Sequence, residues 1–183
     1  MQTGLYTERM KTALRDGREV EIRVLAPDDG ERLRRLFFRL SPLSVYRRFL
    51  SPLPRPREEG LRRLLDVDHR DREALAALHD DEIVAVARYG RQPGSEVAEI
   101  AVVVADDWQR DGLARLLLER LAGVAQLRGI GRFQATVLGE NSGALRLVRR
   151  VFPASHAHWE SGLAEFEIPL GPLGSPAGGR NPL

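Results

Sequence analysis

Residues 99–115 read EIAVVVADDWQRDGLAR, and the rest of the chain is understood outward from them. Ile100, Val102, Val103 and Val104 belong to an apolar, β-branched run of strand length. Asp106 and Asp107 end that run, and Gly112 sits in a polar turn. Beyond it Leu113, Leu116, Leu117, Leu121 and Val124 recur at helical spacing. The stretch is a buried strand, a short turn and the first turns of a helix. A helix entered through a glycine turn presents unpaired backbone N–H groups and the positive end of its dipole. Together these make a site for phosphate.

Two nucleotide-binding loops can be set aside. A P-loop needs a lysine after its second glycine, and the only lysine is Lys11. A dinucleotide fingerprint needs Gly-x-Gly-x-x-Gly, which the turn lacks.

At 183 residues the chain has the length of one domain with tails, enough for a proper core. It has no cysteine, which excludes a disulfide framework, a thiolate metal site and a cysteine nucleophile. No signal peptide and no long apolar run is present, so the expectation is a soluble protein of a reducing cytoplasm. With 28 basic residues, 27 of them arginine, an internal Schiff-base lysine is excluded for all but Lys11. Charge is unevenly spread. Residues 31–63 hold ten arginines and three acids, whereas residues 64–107 hold four arginines and eleven acids. Solvated helix faces account for such a pattern; so does a basic region for phosphates beside an acidic region for a cationic amine.

Along the chain, residues 1–17 show no sustained period and read as an arm. Val20, Ile22 and Val24 alternate as in a half-buried strand, and Asp28 is placed to cap a helix over residues 32–40. A second helix runs through Tyr46 and Phe49. Prolines at 52, 54 and 56 force an extended crossing, and a third helix covers residues 58–65. Residues 74–79 and 83–89 are two strands around a hairpin turn, followed by the strand at 97–104. Gly129 and Gly131 end the long helix. Phe133, Ala135 and Val137 alternate in a further strand, and Asn141 can cap a helix over residues 144–151. Strands near 154–159 and 163–168 follow, and a tail from Gly171, rich in glycine and proline, reads as disordered. Trp108 and Trp159 read as packing residues.

The segment Gln109-Arg110-Asp111-Gly112-Leu113-Ala114 resembles the Gln/Arg-x-x-Gly-x-Gly/Ala turn of the GNAT acyltransferase superfamily. The element order over residues 18–168 resembles that family too. So does Asn141-x-x-Ala144-x-x-Leu147, which is similar to its later Asn-x-x-Ala-x-x-Leu-Tyr motif. Residues 40–49, LSPLSVYRRF, with Val67, Asp68, Ala74 and Leu75, resemble the acetyltransferase domain of bacterial protein lysine acetyltransferases. The resemblance implies an α/β (mixed α+β) GNAT fold over residues 18–170, with a central, mostly antiparallel sheet of six to seven strands flanked by helices. It implies acetyl-CoA held by Val102, Val104, Gln109, Arg110, Asp111, Gly112, Leu113, Ala114, Arg115 and Asn141, with no metal. The acceptor it implies is a primary amine, a protein lysine ahead of a small amine. The pattern breaks at two places: Val148 stands where the family has its tyrosine acid, and Phe152-Pro153 replaces Gly-Phe.

Aminolysis of a thioester needs a neutral amine, yet a lysine of pKa about 10.4 is almost wholly protonated at neutral pH. A base must take that proton. Glu99 matches the family's glutamate, heads the strand before the turn, and is expected to be partly desolvated. Glu96 and Asp107 are less well placed. A backbone N–H near Val102 would hold the oxyanion, as in the family. Tyr46, Tyr89, His156 and His158 are the remaining candidate acids. His156 and His158 share one strand face without a third metal ligand. The competing readings are a non-catalytic acyl-CoA-binding domain, suggested by Val148, and, least favoured, a nucleic-acid binder using residues 32–63. No membrane partner is expected, and a homodimer stays open.

Overall fold

The computed structural model describes residues 8–50 and 58–171. The readings of residues 1–7, of the proline-rich crossing and of the tail beyond Gly171 lie outside the described residues. Among the described residues eight strands form one sheet: β1 (Met10–Ala13), β2 (Glu19–Val24), β3 (Arg72–His79), β4 (Glu82–Arg91), β5 (Val97–Val104), β6 (Arg132–Leu138), β7 (His156–Glu160) and β8 (Leu163–Pro169). Their order is β1-β2-β3-β4-β5-β6-β8-β7, and every pairing is antiparallel except β5 with β6. Among the described residues five helices flank it: α1 (Gly30–Arg39), α2 (Pro42–Phe49), α3 (Glu58–Leu65), α4 (Leu113–Leu127) and α5 (Ser142–Val151).

The sheet has eight strands, not six or seven. The addition is β1, which lies within the expected arm and pairs with β2, Met10 opposite Ile22 and Ala13 opposite Glu19. Asp28 does not cap α1. Instead the buried Asp29 accepts from the Ala26 N–H at 2.8 Å and from Arg23 at 2.6 and 2.7 Å, pinning the start of α1 to β2.

Alternation along β4 and β5 assigns the two faces of the sheet. Val86, Arg88, Ala101 and Val103 meet Leu33 and Phe37 of α1 and Leu64 of α3 on one face. Tyr89, opposite Ile100, points the other way, where its hydroxyl accepts from Arg128 just beyond α4 at 3.2 Å. α4 buries Leu113, Leu117, Leu121 and Val124 of the apolar spacing seen in the sequence; Leu116 is only half-buried, and Leu118, outside that spacing, is buried as well. Fully buried Glu73 accepts from Arg128 at 2.8 Å and lies 3.0 Å from His69 Nδ1, which ties β3 to the end of α4.

Candidate active site

The pairing of β5 with β6 covers only Val97–Arg132, Ala98–Phe133 and Glu99–Gln134. Past Glu99 the two strands part. Backbone direction alternates along a strand, and two bonds fix its phase on β5. The Glu96 carbonyl accepts from Arg132 N–H on the β6 side, and Ala105 N–H donates to Val84 on the β4 side. The N–H and C=O groups of Ile100, Val102 and Val104 therefore face the split. Gln109 occupies one of them, donating through Nε2 to the Val104 carbonyl at 3.1 Å. Val102 has no β6 residue paired with it.

The glycine turn stands at the top of this split. Residues 106–108 make one 3₁₀ turn, and Arg110 (φ 76°) and Gly112 (φ 89°) then adopt left-handed backbone. Glycine does so without a Cβ penalty, whereas Arg110 costs about 1–2 kcal/mol. Leu116 N–H is the first to close on the helix, at 3.1 Å from the Gly112 carbonyl. Those of Leu113, Ala114 and Arg115 precede it and lie at the positive end of a 15-residue helix with no side-chain cap.

Three carboxylates in this turn would oppose an anion, but each is held by a partner. Asp111 accepts from Arg18 at 3.0 Å, and Arg18 also lies 3.7 Å above the Trp108 ring. Asp107 pairs with Arg39 at 3.0 Å. Asp106 accepts from Ser41 N–H at 2.6 Å and from the Ser44 hydroxyl, tying α2 to the turn. These bonds hold the Asp106 carboxyl below the usual range although its partial burial works the other way. Arg15, from the β1–β2 hairpin, approaches within 4.0 Å of where a Gly112 side chain would begin.

Glu99 sits at the fork, on the α1 face of the sheet, beside Gln134 and opposite Gly90. A side chain at Gly90 would meet only Arg72, at 4.0 Å, so the flank of Glu99 is open. Glu99, near the start of β5, is exposed, contrary to the expected partial desolvation; its partner across β4 is Gly90, which has no side chain to cover it. Of the other candidate residues, Leu113 is buried and offers only its backbone, Ala114 is half-buried, and Arg115 pairs with Glu119 at 2.7 Å. Arg110 is exposed. Asn141 caps α5, its Oδ1 accepting from Ala144 N–H at 3.2 Å.

The turn residues, Val102, Val104 and Glu99 are thus gathered at one split, while several alternatives lie elsewhere. Tyr89 is buried, its hydroxyl bonded to Arg128 and the Arg70 carbonyl; burial raises its pKa above the ordinary value. His156 and His158 lie on β7 at the sheet edge, and no metal-holding cluster is found among the described residues. Val148 is buried in the core face of α5. Trp108 is buried as read, but Trp159 is 51% exposed on β7 and is not a core residue.

A model of the acetyltransferase (GNAT) family matches residues 42–152. The chain belongs to that family. It is 37% identical over 121 residues to acetyltransferase PA5475 of Pseudomonas aeruginosa, a match covering 64% of this chain and 65% of that protein. It is 30% identical over 163 residues to acetyltransferase Pat of Mycolicibacterium smegmatis, covering 87% of this chain and 48% of that one. The matches therefore span 65% and 48% of these two relatives, less than two thirds of either. The crystal structure of the GNAT domain of S. lividans PAT superposes with a TM-score of 0.82 at 32% identity, covering 88% of this chain and 97% of that one. GNAT membership accounts for the mostly antiparallel sheet with its single parallel, splayed pair. Among the described residues no helix is long and apolar enough to cross a membrane.

Proposed function

We propose that this protein transfers an acetyl group from acetyl-CoA to a primary amine, with Glu99 as the general base. The observation that carries the reading is the parting of β5 and β6 immediately after Glu99, directly below the open N-terminus of α4.

The residues present fit the coenzyme. The N–H groups of Leu113, Ala114 and Arg115 donate to its pyrophosphate, and Gly112 lets the backbone approach closely. Val102 and Val104, facing the split, suit the amide-bearing arm of the coenzyme, which supplies a thioester as the acyl donor. Val102 N–H, which faces the split, stabilises the oxyanion in this reading when the amine adds to the thioester carbonyl. Glu99 takes a proton from the acceptor ammonium, directly or through one water, so that a neutral nitrogen attacks, and the second proton of that nitrogen passes to solvent as the amide forms. The C–S bond then breaks. A thiol of pKa near 8.5, if it resembles cysteine, leaves as the thiolate, so a dedicated acid in place of Val148 is not required. A protein lysine is the preferred acceptor, on the resemblance carried by residues 40–49.

The burial of Val148 favours one second reading, a non-catalytic acyl-CoA-binding domain. A coupled assay of CoA release, run across free amines, lysine peptides and proteins, separates the two. Amine-dependent release with N-acetyl product is the expected result. Tight acetyl-CoA binding without release for any amine would leave the binding reading.

A further inference from the structure

On the same face as Glu99, a small cavity is lined by Leu33, Phe37, Val86 and Val103 together with two half-buried arginines, Arg48 of α2 and Arg88 of β4. It encloses about 10 Å³, room for roughly one water. A guanidinium taken out of water costs several kcal/mol unless it is paired. Elsewhere this protein meets that cost with carboxylates: Arg23 on Asp29 at 2.6 Å, Arg91 on Asp71 at 2.7 Å, Arg128 on Glu73 at 2.8 Å.

Arg48 has no such partner. All 26 acidic side chains of the chain fall within the described residues, and none comes within 4.0 Å of Arg48 in an ion pair. Its guanidinium lies 4.9 Å over the Phe49 ring. Burial, with Arg88 beside it, pushes it down to about 10, while Glu99 acts the other way as the acid that favours its charge. Arg88 is partly spent on the end of α3, donating to the Leu64 carbonyl at 3.1 Å. The neighbouring Arg47 also lacks an acid, and its Nε is buried without a partner.

We propose that Arg48, backed by Arg88, is a carboxylate subsite beside Glu99. It takes a carboxylate carried close to the reacting nitrogen of the acceptor, or one at the end of the donor's acyl chain. The subsite rests on the acetyltransferase reading, because that reading makes Glu99 the mark of the reacting nitrogen. The cavity has room for only about one water, so a carboxylate meets the Arg48 guanidinium outside it; Ala101 of its lining is two residues from Glu99 on the same face of β5. The guanidinium offers two N–H donors in the fork that a carboxylate accepts.

Calorimetry on the whole chain tests this with two matched pairs. One is a lysine peptide with aspartate or asparagine next to the lysine, titrated into protein saturated with CoA. The other is succinyl-CoA against acetyl-CoA. The carboxylate-bearing member of one pair should bind at least tenfold tighter, and which pair responds identifies the source. Arg48→Gln should reduce that preference below twofold, and Arg48→Lys should keep part of it, with CoA affinity unchanged in both. Equal affinity within both pairs for the wild-type protein overturns the subsite without any variant, as does a preference that survives Arg48→Gln. Acetyl turnover of the asparagine peptide is followed in parallel. If it occurs while no preference is seen, the subsite falls and the acetyltransferase reading stands. If no amine is turned over, that reading falls, and the binding arms still decide the subsite.

Discussion

The donor end and the acceptor end of the β5–β6 split are made of different materials. At the proposed donor end, the groups offered to the coenzyme are backbone: the N–H groups of Leu113, Ala114 and Arg115, laid out by two left-handed residues in one short loop. At the proposed acceptor end they are side chains, Glu99 and Gln134 from adjacent strands, with Arg88 from β4 and Arg48 from α2 as the proposed subsite. A backbone site binds any acyl-CoA alike, since the phosphates are common to all of them. A side-chain site can discriminate and carry out proton transfer. Substitutions at the acceptor end should therefore act on rate and acceptor choice, and those at the donor end on coenzyme affinity.

The largest effect is expected at Glu99. Glu99→Gln keeps the shape and removes the proton acceptor, and loss of a general base costs about 10²–10⁴ in rate. Turnover at pH 7 should fall by that factor with acetyl-CoA affinity within twofold of wild type. The defect should shrink as pH rises toward the amine pKa of about 10.4, because more amine is already neutral. A variant that keeps more than half the wild-type rate, with chemistry rate-limiting, excludes Glu99 as the base. A defect equal at every pH makes it a positioning residue.

At the donor end, Gly112→Asp puts a charge and a Cβ where the backbone meets pyrophosphate. Acetyl-CoA affinity should fall at least tenfold, about 1.4 kcal/mol. Gly112→Asn tolerates the left-handed backbone better and adds no charge, so it should lose less. Equal loss in the two variants would mean that geometry, not charge, governs the site, and unchanged affinity by calorimetry would remove the turn from it.

These two ends were also unequally legible in the sequence. The donor turn was readable because its parts are local: a β-branched run, Gly112, then leucines at helical spacing. α3 and the Asn141 cap were readable for the same reason. β1 was not. Its four residues, Met10 to Ala13, carry no apolar alternation and are held by backbone bonds to β2. The cap at α1 was misplaced by one residue because Asp28 and Asp29 are chemically alike, and only the fold brings Arg23 to Asp29. Trp159 looked like core, yet it lies on β7, which pairs with β8 alone at the sheet edge. The acceptor end was readable only at Glu99. Arg48, Arg88 and Gln134 come from three separate elements, and no spacing in one of them announces the others.

Asn141 sharpens the comparison at smaller scale, since it is a side chain near the donor end. Its Oδ1 already accepts from Ala144 N–H, a cap worth about 1 kcal/mol. Asn141→Ala should lower Tm by about 2–4 °C. It should also raise the Michaelis constant for acetyl-CoA more than that for the amine. The reverse order of the two constants would move Asn141 to the acceptor side.

The smallest effect is expected where the two ends are joined. Asp106 belongs to the donor turn, yet it accepts from Ser41 N–H and from the Ser44 hydroxyl at the start of α2, the helix that carries Arg48. Asp106→Asn keeps one acceptor oxygen and removes the charge, which at this exposed position is worth no more than about 0.5 kcal/mol, or 1–2 °C in Tm. The pH dependence identifies the cause. The folded-state pKa of Asp106 lies below its unfolded value, because its hydrogen bonds outweigh its burial. The carboxylate's contribution is therefore complete above the unfolded value of about 3.9 and is lost as pH falls through the folded one. The Tm gap between wild type and Asp106→Asn should hold steady from about pH 7 to 5 and narrow below about pH 4. A gap that persists undiminished in acid would mean that the amide costs packing rather than charge. Coupling between the ends then has its own readout. If this bond sets the position of α2, Asp106→Asn should weaken any carboxylate preference due to Arg48 while leaving acetyl-CoA affinity within twofold. A preference equal to that of wild type would show that α2 is held in place by its core contact through Val45 rather than by the donor turn.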